Sequence, residues 1–146
     1  MSITLAQAQT LVHAALDFAK QQNMYPVAVA VVDAGGHAIV LQRQDGAAFL
    51  RSDVAVAKAA GALGLGLSSR VIAGLAAANP AALATVSVIA PLGLVASPGG
   101  VIIVDEAGVR IGAAAASGDT GDNDEACVLA GIEAAGLRVQ GSPIRR

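Results

Sequence analysis

Apolar positions along this chain switch between a period of three to four and short continuous or alternating runs, and the order of those patterns predicts its elements. Leu5, Ala8, Leu11, Val12, Ala15, Leu16 and Ala19 share one face of a first helix, and Thr4 with Gln7 has the form of a capping box at its start. The opposite face carries Thr10, His13, Asp17 and Lys20. Val27 to Val32 is apolar at every position, as a central strand would be; Asp33-Ala-Gly-Gly36 is a turn, and Ala38 to Arg43 reads as the hairpin partner. Ser52 is the expected N-cap of a second helix running to Leu65, with Val56, Ala59, Ala60, Leu63 and Leu67 on one stripe.

A third helix is expected from Ser68 or Ser69 through Ala78, ended by Asn79-Pro80. Beyond it, Val86 to Ile89 and Gly93 to Ala96 read as strand-like pieces and Ser97-Pro-Gly-Gly100 as a turn. Val101 to Val104 is then a strand, joined through Asp105-Glu-Ala-Gly108 to its partner Val109–Ala116. A last helix is expected over Asn123 to Ala135, with Gly136 as its stop, and the basic tail Arg138 to Arg146 is expected to be loosely ordered. Helix, hairpin, helices, hairpin, helix is an α+β pattern, an antiparallel sheet flanked by helices.

Composition narrows the function. A chain of 146 residues makes one domain, 1–146. A net charge of −2, one Tyr, two Phe and no Trp leave neither a basic footprint nor an aromatic platform for nucleic acid. The single Cys127 has no internal disulfide partner and reads as a small core residue. The N-terminus has neither the basic nor the apolar region of a signal peptide, so a cytoplasmic protein is expected. No charge occurs between Arg70 and Asp105, yet Pro80, Pro91, Pro98, Gly93, Gly99 and Gly100 cut that run into pieces too short to cross a membrane. So much apolar surface predicts burial against another copy, a homo-oligomer of two or more chains.

The scarce polar residues concentrate in Ser117-Gly-Asp-Thr-Gly-Asp-Asn-Asp-Glu125, where Asp122 and Glu125 have the spacing of a capping box. Counted from Asp119, a calcium loop would need Gly and Glu where Asp124 and Ala130 stand, and a phosphate cradle would need a lysine and fewer anions. What remains is a turn that could line a pocket and offer backbone donors or a carboxylate to a ligand. Lys58 is the only charge between Asp53 and Arg70; it either snorkels outward or is held at a pocket with a lowered pKa and a nearby carboxylate such as Asp53, Asp122 or Asp124. His13 and His37 are the only histidines. Either is a solvated side chain or a haem or metal donor, and His13 is preferred as ligand because Asp17, one turn on, could fix its tautomer. Gly61-x-x-Gly64-x-Gly66 lies within a helical run and follows no strand, so it is not a dinucleotide fingerprint.

Val31-Val-Asp-Ala-Gly-Gly-His37, Arg43-Gln-Asp-Gly46, Ser52-Asp-Val-Ala-Val-Ala-Lys58-Ala, Pro98-Gly-Gly100, Gly112 through Ser117-Gly118, and Asp124-Glu125-Ala occur in that order. Together they resemble the GlcG/HbpS-like haem-degrading domain family, which also supplies the C-terminal domain of PduO-type proteins. The resemblance implies a profilin-like α/β/α sandwich that forms oligomers, and a tetrapyrrole ligand, haem or a corrinoid, sometimes with haem breakdown. On that reading a pocket near a subunit contact holds the haem, His13 or His37 is the iron ligand, and Arg51, Lys58 and Thr120 are candidate contacts to the cofactor. The alternative is an enzyme without metal or organic cofactor, a lyase, isomerase or hydrolase of a small apolar metabolite. It would use Lys58, His37 and a carboxylate among Asp122, Asp124 and Glu125 as acid and base. A structural accessory subunit is the third reading.

Overall fold

The computed structural model describes residues 1–141. Helix α1 (Leu5–Gln21) opens with the expected capping box: Thr4 accepts from the Gln7 amide while the Gln7 side chain reaches back to the Thr4 amide. Strands β1 (Ala28–Asp33) and β2 (Ala38–Arg43) form the first hairpin. Helices α2 (Leu50–Leu65), α3 (Ser69–Ala78) and α4 (Pro80–Ile89) follow, then β3 (Gly100–Val104), β4 (Arg110–Ser117), α5 (Gly121–Ala134) and a short β5 (Arg138–Val139). The sheet runs in the order β2-β1-β4-β3-β5 and every pairing is antiparallel.

Alternation along the strands builds two layers of core. Val27, Val29, Val31, Val101, Ile103, Ala114 and Ala116 pack with α1 and α5 on one face. Ala28, Ala30, Val32, Ala113, Ala115, Ile102 and Val104 meet α2 on the other. This is an α+β fold with helices on both sides of one sheet. Alanine dominates the α2 face of β1 and β4, so that helix can lie close to the sheet. Glycine serves the same end on the opposite face, where a Cβ at Gly131 of α5 would stand 2.5 Å from the Leu11 carbonyl oxygen of α1.

Several expected boundaries change. Val86 to Ile89 is the end of α4, not a strand: Pro80 takes the first helical position, where its missing N–H is harmless, and Asn79 accepts from the Ala82 amide. Gly93 to Ala96 pairs with no strand. Helix α2 begins before Ser52, at Leu50, with Phe49 already helical and no side chain capping it. Its buried stripe is Ala55, Ala57, Lys58, Ala59, Gly61 and Ala62, because the sheet covers one flank and the approach to β3 the other. Helix α5 starts at Gly121 and is capped by Thr120, whose hydroxyl accepts from the Asn123 amide, so the Asp122–Glu125 capping box does not form. The tail is ordered at its start, since Arg138 and Val139 pair with Val104 and Ile103; residues 142–146 lie outside the described ones.

Candidate functional site

Two ends of the sheet collect the polar and ligand-capable residues. At the end where β4 finishes, Lys58 is 3% exposed, which excludes outward snorkelling. Its Nζ donates to the carbonyl oxygens of Pro98 and Ala116, each at 3.0 Å, and to Oδ2 of Asp124 at 3.2 Å. Three protons thus meet three acceptors. Asp124, 2% exposed, also accepts from the Asp119 amide at 2.9 Å. Burial lowers the Lys58 pKa and raises that of Asp124, and in each case the partner's charge opposes the shift. The carboxylate foreseen beside Lys58 is therefore Asp124, and the pair ties α2 to the first turn of α5 around the end of the sheet.

The Pro98-Gly99-Gly100 sequence makes that tie possible. A Cβ at Gly100 would stand 2.6 Å from the Lys58 carbonyl oxygen, and one at Gly99, whose φ is +131°, would stand 2.9 Å from Lys58 Nζ. Ser69 completes the junction by accepting the Gly100 amide at 2.7 Å.

The acidic turn is consumed by the fold as well. Asp119 accepts from the Asn123 side-chain amide and from the backbone amides of Thr120 and Tyr25, each at 2.7 Å, and these bonds, Asn123 first, hold its carboxyl below the usual range. Asp122 and Glu125 both bind the Arg70 guanidinium of α3. Arg51 is exposed and donates to the Ser117 hydroxyl at 3.4 Å. Cys127 is buried, donates to the Ala15 carbonyl, and has its pKa pushed up to about 12 by burial, as an inert core thiol.

At the opposite end, where β1 turns into β2, lies an apolar cavity of about 530 Å3. Its walls are the turn from Ala34 to His37, the C-terminal part of α2 from Ala60 to Leu65, and Val86 and Ile89 of α4 with the segment Ala90 to Leu94 that follows. Ser87 anchors that segment by accepting the Leu94 amide at 2.9 Å. His37 stands at the rim with its side chain 85% exposed and Nδ1 3.6 Å from Oδ1 of Asp33. Asp33 also accepts the His37 and Gly35 amides, and its pKa is lowered, by the His37 amide above all. With a carboxylate at Nδ1, Nε2 is the nitrogen presented to a ligand. A hollow of similar size, about 540 Å3, at the β3–β4 turn and β5 is lined by Val104 to Gly108, Arg138 and Val139 and holds none of the candidate residues.

The candidate residues therefore separate. Lys58, Asp124 and Thr120 gather at one end with Arg51, while His37 lies at the other, five residue steps along β1, or about 17 Å. His13 is exposed on the outer face of α1, on the far side of the sheet from the cavity, and makes no hydrogen bond with Asp17 among the described residues. Sequence reasoning missed the cavity wall formed by α4 and Ala90 to Leu94, having read Val86 to Ile89 and Gly93 to Ala96 as strand-like pieces. The usable signal was Asn79-Pro80, a cap followed by a first-turn proline.

Comparison with known proteins adds three related structures. A PduOC:heme complex superposes with a TM-score of 0.85 at 25% identity, covering 97% of this chain and 100% of its own. The Klebsiella pneumoniae protein ORFY gives 0.82 at 27% identity, covering 92% and 90%. A double mutant of HbpS from Streptomyces reticuli gives 0.79 at 29% identity, covering 91% and 86%. Curated protein sequences gave no significant match. Residues 3–133 match the family described as haem degrading protein HbpS-like, and with that much of the chain matched, the protein belongs to this family.

Proposed function

We propose that this protein binds haem or a related tetrapyrrole in the cavity between α2, α4 and the β1–β2 turn, with Nε2 of His37 as the axial donor. The observation that carries the reading is a histidine, backed by a carboxylate, at the mouth of an apolar cavity of about 530 Å3, within the size range of small-molecule sites. His37 offers one imidazole donor at the cavity mouth, which suits an iron already held by a macrocycle. The cavity walls carry no Lys or Arg, and the propionates would face solvent. His37 and the apolar walls would hold the haem, which would supply the redox and oxygen chemistry.

The same reading places a second copy of the chain over α3 and α4. Helix α4 buries none of its residues; Val88 is 84% and Ile89 81% exposed, and Leu75 and Leu92 are exposed beside them. This surface lies within the stretch that carries no charge, and Ile89 also lines the cavity, so a partner there would close the ligand site. The acid–base alternative draws no support from the geometry, since Lys58 and Asp124 satisfy each other at the far end of the sheet from His37.

A hemin titration followed by the Soret band tests the site, with light scattering on the same samples for mass. Saturable binding by the wild type, lost or spectrally altered in His37→Ala and unchanged in His13→Ala, is expected. An identical Soret band and affinity in His37→Ala would remove this histidine and the site with it, and a monomeric mass would remove the second copy.

A further inference from the structure

We propose that Gly64 is a specificity-determining position of the cavity, its bare backbone being the seat for the flat, uncharged face of the ligand. The inference rests on the tetrapyrrole reading and names the feature that selects ligand shape. Three glycines punctuate the end of α2, and two of them answer to the fold. Gly66 has φ +71° and forms the left-handed C-cap, with the Arg110 guanidinium 2.8 Å from where its Cβ would be. Gly61 gives way to Leu94, whose Cδ2 would stand 3.0 Å from an added Cβ. Gly64 has neither reason: its backbone is ordinary helix, and an added Cβ would meet nothing within 4 Å.

Glycine is among the least favourable residues in a helix, so a position with no turn to make and no neighbour to admit gains nothing from it within the folded chain. Gly64 does, however, line the cavity, and its missing side chain leaves that space open. Ala60 and Gly61 lie one turn back and also line the cavity, while Leu63 and Leu65 of the same helix line it on either side of Gly64. Across from it stand Val86 and Ile89 of α4. The side chain missing at Gly64 leaves a gap between Leu63 and Leu65 that a flat ring system fits and that a side chain at 64 would fill. The absence of Lys and Arg from the lining places any charged substituent outside. Gly74 of α3 is equally open but lines neither of the two cavities described above, and serves as the matched control.

The test is hemin titration of the full chain carrying Gly64→Leu, Gly64→Ala, Gly74→Ala or His37→Ala, with thermal unfolding of each. Both alanine variants should raise the melting temperature, since a helical glycine is replaced at an open position. Of the glycine variants, only those at Gly64 should lose affinity, about tenfold or more for leucine and less for alanine. Weaker binding by a more stable Gly64→Ala protein supports the proposal even where the leucine variant folds poorly. Gly64→Ala and Gly64→Leu both within about twofold of wild type, while His37→Ala fails to bind, would overturn the role of Gly64 and leave the site standing. Absence of hemin binding by the wild type itself would overturn the reading and this inference together.

Discussion

Replacing Lys58 by Met probes the charged tie at the end of the sheet. Methionine matches lysine in length and in helix propensity, so the substitution removes the ammonium and little else. It leaves the Asp124 carboxylate buried with one backbone donor from Asp119, and deprives the carbonyls of Pro98 and Ala116 of their shared donor. Removing one partner of a buried, hydrogen-bonded ion pair costs about 3–5 kcal/mol, a large part of the roughly 5–15 kcal/mol by which domains of this size are stable. Urea unfolding followed by circular dichroism should therefore move its midpoint far down at unchanged slope. Adding Asp124→Asn to Lys58→Met should recover part of the loss, because a neutral amide can still accept the Asp119 amide without a buried charge. The pH dependence follows: an uncompensated carboxylate has its folded pKa raised above the unfolded value, so the deficit of the single variant is smallest at low pH, where only the two lost carbonyl bonds contribute, and grows as pH rises through the carboxylate range. A Lys58→Met protein within about 0.5 kcal/mol of wild type, or a double variant no more stable than the single one, would refute the assignment.

Two further outcomes test the packing and the acidic turn. Gly131→Ala puts a methyl 2.5 Å from the Leu11 carbonyl oxygen, and although alanine is the better helix former by about 1 kcal/mol, forcing α1 and α5 apart should leave a net loss of about 1–3 kcal/mol; a raised melting temperature would contradict it. Asp119 has its folded pKa below its unfolded one, so its contribution is present above the unfolded value of 3.8 and disappears as pH falls through the folded value. Asp119→Asn should accordingly be less stable than wild type at neutral pH, with the gap closing in acid; a gap equal at pH 7 and at the acid end would show that the carboxylate's charge plays no part.

The elements that could be read from the sequence are those whose pattern has a local cause. Thr4 and Gln7 cap α1 within one turn, and β1 is buried on both faces because α1 and α5 cover one while α2 covers the other. Misreadings fall where the deciding partner is remote. Asp122 and Glu125 have capping-box spacing, but Arg70 of α3 binds both, and Thr120 takes the cap. Val86 to Ile89 look like strand by composition, yet a strand needs a partner and the described sheet has none for them. The proline and asparagine before them provide a helix start, and nothing opposes it.

Lys58 shows why a site is harder to read than a fold. Isolation among apolar residues left Lys58 either snorkelling outward or held inside beside a carboxylate, and the sequence has no term for the two carbonyl oxygens that use the remaining protons. Those acceptors come from the turn before β3 and the end of β4, which approach α2 closely because Gly99 and Gly100 have no side chains. An ammonium with three partners in the fold stabilises; one with two would have been available to a ligand. His37 is the converse. It stands beside a turn, as the sequence indicates, but that turn forms the rim of a cavity whose far wall is α4, some fifty residues away in the chain. A ligand site of this kind arises from what the fold leaves unfilled, such as the space beside Gly64, and a sequence pattern records only what is filled.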